Sequence, residues 1–121
     1  MNLNEDQKAL LSRAIATFGK TKQMEMVVEE CAEVIQGIMK LNRAKSGHYG
    51  KSVEEATQNL RFEAADLVIM ANQLVEMLGG ESEIAPLITY KLERLLPRIE
   101  ESESKSERPS RGLEQEPRIK G

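Results

Sequence analysis

Val27-Val28-Glu29-Glu30-Cys31-Ala32-Glu33-Val34-Ile35 and, about thirty residues on, Phe62-Glu63-Ala64-Ala65-Asp66-Leu67 set acids three apart inside apolar sequence. Both stretches read as helix. On a helix, residues i and i+3 project to one side with about 5–6 Å between them. Glu30 with Glu33, and Glu63 with Asp66, then form two acidic pairs. If the two helices pack together, four carboxylates converge, and like charges crowded away from water call for a cation.

Around these stretches the pattern is helical throughout. Asn4 with Gln7 makes a capping box for a first helix carrying Leu10, Leu11, Ala14, Ile15 and Phe18, and Gly19 stops it. Thr21 is the expected cap of a second helix reaching about Leu41. Its apolar arc holds Met24, Val27, Val28, Cys31, Val34, Ile35 and Ile38, with Glu30 at the edge of the arc. Cys31 on that arc reads as an inert buried thiol. A loop over 42–51 follows, with Gly47 and Gly50 around His48-Tyr49. Ser52 with Glu55 makes a second capping box, opening a third helix that ends at Gly79-Gly80. This helix is apolar on most of its circumference, which requires burial on more than one side and points to a partner subunit. Ser82 is the expected cap of a fourth helix through about Ile99, with Pro86 in its first turn and Pro97 bending or shortening its end. From 101 to 121 the chain is Ser, Glu, Lys and Arg with two Pro, and reads as a disordered polar tail after a domain spanning 1–100.

Composition narrows the possibilities. The 121 residues are 40% hydrophobic but only 3% aromatic, with no Trp, so the core is Leu, Ile, Val, Ala and the six Met residues, side chains that suit an all-α bundle. The net charge of −3 gives no pull toward nucleic acid or an anionic membrane. One Cys and one His exclude an internal disulfide and disfavour zinc. No signal peptide and no membrane span is legible, which leaves a cytoplasmic protein as the expectation. Without a phosphate-cradling G-x-x-x-x-G-K-[ST] loop, a P-loop ATPase is excluded.

Taken alone, Glu29, Glu30 and Glu33 would pass as a solvated helix face; with Glu63 and Asp66 set inside apolar sequence, the acids admit two further readings. In one, Arg61, Arg43 or Lys91 neutralises them in a salt bridge. In the other, they hold a hard divalent cation, Mg²⁺ or its substitute Mn²⁺, through oxygen ligands. The paired pattern, Glu29-Glu30-x-x-Glu33 followed by Glu63-x-x-Asp66, resembles the MazG-like all-α nucleoside triphosphate pyrophosphohydrolases over roughly residues 20 to 96. That superfamily includes dimeric dUTPases, dCTP pyrophosphatases and phosphoribosyl-ATP pyrophosphohydrolases. The resemblance implies a four-helix bundle with helices pooled between subunits, as a homodimer or a dimer of dimers. It further implies Glu30, Glu33, Glu63 and Asp66 as Mg²⁺ ligands and Glu29 and Glu33 as catalytic residues, Glu29 either supporting the ligands from behind or acting as a base that orients the attacking water. Lys91 and Arg94 would contact phosphates, and Gln23, two turns before Glu30, could reach the nucleotide. Asn72 and the His48-Tyr49 loop are weaker candidates. The implied reaction converts a nucleoside triphosphate, with deoxy and non-standard ones among the candidates, into monophosphate and pyrophosphate. The competing class is a non-enzymatic helical interaction module with a structural or vestigial metal site.

Overall fold

A computed structural model describes residues 2–48 and 50–106. They form four helices, α1 (Glu5–Phe18), α2 (Lys20–Lys45), α3 (Val53–Met77) and α4 (Glu81–Ser106), with no strand among the described residues. The chain divides into two units, residues 1–84 and 85–121, with the boundary inside α4.

Both capping boxes form. Asn4 Oδ1 accepts from the Gln7 amide at 2.8 Å, and Ser52 Oγ accepts from the Glu55 amide at 3.0 Å. Each partner side chain returns a bond to the cap's own backbone N–H. The expected caps Thr21 and Ser82 do not serve as caps. Gly19, at φ 93°, both ends α1 and starts α2, donating to Ile15 O and accepting from the Gln23 amide. Thr21 therefore lies inside α2. The Gly80 carbonyl accepts from Glu83 and Ile84 and starts α4, so Ser82 lies inside it and Pro86 falls beyond the first turn.

Two helix ends share one device. After α2, the amides of Gly47 and His48 return to Ala44 O and Arg43 O; after α3, those of Gly79 and Gly80 return to Glu76 O and Val75 O. These paired bonds satisfy carbonyls that a helix end otherwise leaves without partners, and they require a left-handed residue, here Gly47 (φ 79°) and Gly79 (φ 109°). The first such end carries α2 four residues past Leu41 and shortens the expected 42–51 loop.

Burial along α2 and α3 follows a seven-residue repeat. Gln23, Val27, Glu30, Val34, Gly37, Leu41 and Ala44 are buried or half-buried, spaced alternately by four and three; Ala56, Leu60, Glu63, Leu67, Met70, Leu74 and Met77 match them. This is the spacing of a coiled-coil seam, and α2 and α3 pack along one another as an antiparallel hairpin. Gly37 fixes the register: a Cβ there would lie 2.9 Å from Leu60 Cδ1. Stepping from that contact pairs Val34 with Glu63, Glu30 with Leu67, Val27 with Met70, and Gln23 with Leu74. Glu30 thus sits in the seam rather than at the edge of an apolar arc. The other half of that arc is exposed, Val28 at 69% and Ile35 at 62%. Cys31 is exposed with them, contrary to its expected burial, because it is rotated about 100° from Glu30, off the seam.

α1 packs on both α2 and α3. Its ties to the rest of this unit include polar contacts near the surface. Ser12 Oγ donates to Glu76 Oε2 at 3.0 Å, Lys8 pairs with Glu81 at 3.4 Å, and Gln73 Nε2 donates to Leu11 O at 3.5 Å. No residue of α1 is fully buried.

In the second unit, α4 continues through Pro97 to Ser106, taking in the first six residues of the expected tail. Pro97 lacks the amide that would bond the Glu93 carbonyl. The turns beyond it hold Arg98, Glu100, Glu101, Glu103 and Lys105, which favour helix, and carry a Glu101–Lys105 ion pair at 3.6 Å. The remainder of the expected tail, 107–121, lies outside the described residues. No described helix is long and apolar enough to cross a membrane.

Candidate metal centre

The seam brings Glu30 from α2 to Glu63 and Asp66 from α3. One carboxylate oxygen from each lies within 4.8 Å of the other two. Glu63 reaches the centre from the seam itself, and Asp66, one turn on, is exposed at its rim. Glu30 and Glu63 are half-buried, which raises the cost of leaving them charged beside one another.

That cost shows at Glu30. Its carboxyl is held above the ordinary value of 4.5, first by burial, then by the charges of Asp66, Glu63 and Glu33 and by a hydrogen bond with Asp66. Among the described residues of the first unit, no cationic side chain pairs with it. Arg61 is turned to Gln58 Oε1 at 3.0 Å, and among the described residues of the first unit the ion pairs are those of Lys8 with Glu5 and Glu81. The salt-bridge alternative through Arg43 or Arg61 therefore finds no support in this unit.

The donor set fits a hard cation. All three groups offer carboxylate oxygen, and spacings of 4.8 Å or less are a side-chain adjustment from the about 3–4 Å between oxygens around six-coordinate Mg²⁺. Beside Glu30 and Asp66 opens a recess of about 230 Å³, floored by Met26, Ile69 and Met70.

Of the residues singled out from sequence, three of the four expected ligands come together. The fourth, Glu33, is exposed and lies outside the grouping, though its charge still acts on Glu30. Glu29 is exposed next to Glu30 in sequence. Gln23 is buried, 6% exposed, two turns from Glu30 along α2. Asn72 turns its Nδ2 back onto Val68 O at 2.9 Å. Lys91 and Arg94 belong to the second unit, where the Arg94 guanidinium lies 5.6 Å from the Tyr90 ring centroid. His48 Nδ1 lies 3.3 Å from Ser46 Oγ, and Tyr49 is outside the described residues.

Two residues of consequence escaped the sequence reading. Gly37, one seven-residue repeat after Glu30, lets α2 close on Leu60 and brings Glu63 Cγ within 3.9 Å of where a Cβ would stand. Gln73, one repeat after Asp66, is buried with an unpartnered side-chain oxygen. In both cases the signal was the seven-residue spacing. Comparison of the chain with protein-family models, with curated proteins and with solved structures found no match.

Proposed function

We propose that the chain hydrolyses nucleoside triphosphates to the monophosphate and pyrophosphate in a Mg²⁺-dependent reaction centred on Glu30, Glu63 and Asp66, with Mn²⁺ able to substitute. The observation that carries this reading is the gathering of three carboxylates within 4.8 Å, without a cationic partner among the described residues of their unit. The MazG-like resemblance of the same residues supplies the reaction class.

Bound Mg²⁺ would offset phosphate charge, acidify a water and steady the leaving pyrophosphate. The carboxylates of Glu30 and Glu63, half-buried, and of Asp66, exposed at the rim, would hold the ion. Glu33 and its neighbour Glu29, outside the ligand grouping and open to solvent, are assigned to the attacking water. The water oxygen bonds to the α-phosphorus, and the bond from that phosphorus to the bridging oxygen breaks. The electron pair departs with pyrophosphate, and the water's proton passes to Glu33.

Self-association belongs to the same reading. Val28, Ile35, Phe62 and Ile69 are exposed on the hairpin, and a second copy burying them would give a homodimer or a dimer of dimers.

The test is pyrophosphate release from a panel of ribo- and deoxyribonucleoside triphosphates, with Mg²⁺ or with chelator. Metal-dependent release with the matching monophosphate is expected, and it should be lost in Glu63→Gln and Asp66→Asn. No release from a folded protein, or full activity in either variant, overturns the assignment. In that case a non-enzymatic helical interaction module becomes the better reading.

A further inference from the structure

The two faces of the α2–α3 hairpin differ. In helices that run in opposite directions, the residue just before a seam position on either helix turns to one side of the pair, and the residue just after it turns to the other. Met26 and Asp66 each precede a seam residue, which puts the acidic centre and its recess on one face. Gln73, which precedes Leu74 and bonds Leu11, places α1 on that face as well. On the opposite face α2 presents Met24, Val28, Cys31, Ile35 and Ile38, and α3 presents Ala64, Val68, Ala71 and Val75. None of these is charged, and Val28, Cys31, Ile35 and Ile38 are exposed. The small side chains of Ala64 and Ala65 leave a recess of about 350 Å³ on the α3 side.

Taken by itself, α4 carries a row of the same kind. Ala85, Ile88, Leu92, Leu95 and Ile99 are spaced alternately by three and four, with all the large ones exposed. This row runs from 85 to 99 and the α2 row from 24 to 38, so each is about 21 Å long. Charge gives the fit a direction. Lys91, Arg94 and Arg98 border the α4 row on its preceding side, and Glu93 and Glu100 on its following side. On the hairpin, Glu25 and Glu29 border the α2 row. Arg61 lies on the α3 side, level with Gln36 in the register set by Gly37 and Leu60. An α4 laid parallel to α2 sets its basic border over Glu25 and Glu29 and its acidic border toward Arg61; the reverse direction sets like charge against like. With the rows aligned end to end, Leu92 stands level with Cys31.

Both rows stand open in one chain, so the cover for either comes from outside it, and a second copy carries the match. We propose that two copies associate through this face, the α4 of each lying parallel to α2 along the hairpin of the other, on the side away from the acidic centre. Reciprocal exchange makes the contact twice and closes as a two-fold dimer. The proposal rests on the self-association put forward above, to which it gives a surface and a helix, and on no step of the hydrolysis.

Cys31 is the chain's one cysteine, so a second placed on α4 reads the contact directly. Leu92→Cys treated with a mild oxidant should give a disulfide-linked dimer on a non-reducing gel where wild type gives none, and adding Cys31→Ser should abolish it. Light scattering at micromolar concentration should show a dimer for wild type and a monomer for Ile35→Glu and for Leu95→Glu. Both positions are exposed in the single chain, and circular dichroism checks that each variant keeps its helices. A monomeric wild type overturns the proposal, as does a Leu92→Cys protein that forms no bond or forms it within one chain, the latter meaning that α4 covers its own hairpin. A cross-link that persists without Cys31, or a dimer that Leu95→Glu leaves intact, would mean contact between like faces and overturns it too. If a variant does not fold, the wild-type mass and the cross-link decide. Pyrophosphate release by a monomeric protein would keep the hydrolase and refute this assembly; a cross-linked dimer without turnover would do the reverse.

Discussion

Replacing Glu30 with Gln should stabilise the metal-free protein and weaken its response to metal, two effects of opposite sign from one carboxylate. Glu30 has two acidic neighbours within 4.8 Å. Two unit charges at that distance repel by about 0.9 kcal/mol in water and about 3.5 kcal/mol at an effective dielectric constant of 20. Because Asp66 is exposed and Glu30 half-buried, the lower part of that range applies, about 1 kcal/mol per neighbour. The protein can also relieve part of the repulsion by protonation, as the raised Glu30 shows. A net gain of about 1–2 kcal/mol remains, or roughly 5–10 °C in Tm for a domain of this size. Thermal unfolding followed by circular dichroism in low-salt buffer with chelator reads it directly, since screening would shrink the effect. Adding Mg²⁺ to ten times its Kd should then raise wild type by about 1.4 kcal/mol and the variant by less. A Glu30→Gln protein that unfolds earlier than wild type in chelator would mean that Glu30 is held by a favourable contact. Equal Mg²⁺ stabilisation of both proteins would mean that Glu30 is no ligand. Either result refutes the electrostatic account of the centre.

Two further outcomes follow from the same geometry. Glu30 binds its proton more tightly folded than unfolded, so its contribution favours the fold fully below pH 4.5 and is lost as pH rises through the raised folded value. Urea denaturation in chelator from about pH 4 to about pH 7 should therefore show the advantage of Glu30→Gln growing with pH; a difference flat across that window contradicts it. At Gly37, a Cβ conflicts only with the far end of the Leu60 side chain at 2.9 Å. Ala there should be near neutral, its helix preference of about 1 kcal/mol offsetting the crowding. Val should cost about 1–3 kcal/mol by overpacking and weaken Mn²⁺ binding by displacing Glu63. Stability and Mn²⁺ affinity like those of wild type in Gly37→Val would show that the close approach does not position the centre.

The helices and much of the centre were legible because their signals are local. Asn4-Gln7 and Ser52-Glu55 announce helix starts through bonds made within four residues. The spacing of Glu63 and Asp66 inside apolar sequence announces an acidic pair at a packed helix face, with Glu63 half-buried and Asp66 exposed at its rim. The errors came where backbone replaced side chain. Gly19 and Gly80 start α2 and α4 through their own carbonyls, while Thr21 and Ser82, plausible caps, are passed over. Gly47 extends α2 by a left-handed turn that a wheel drawn to Leu41 does not include. The difference between Glu33 and Asp66, both one turn from a seam glutamate, lies in which side of the seam each flanks. That is set by how α2 meets α3 at Gly37 and Leu60, a pairing between helices that no single-helix periodicity contains.

The short connection between α2 and α3 gives the acidic centre a particular history. Glu30, Glu63 and Asp66 all belong to the two helices that it joins, so the centre forms when one short loop closes. Closing a short loop costs little chain entropy, and contacts close in sequence form early in folding. The mutual repulsion of the acids is therefore met as soon as α2 pairs with α3. If the proposed divalent ion binds there, it would offset that repulsion during the hairpin's closure as well as in the finished protein, and refolding in Mg²⁺ should then be faster than in chelator.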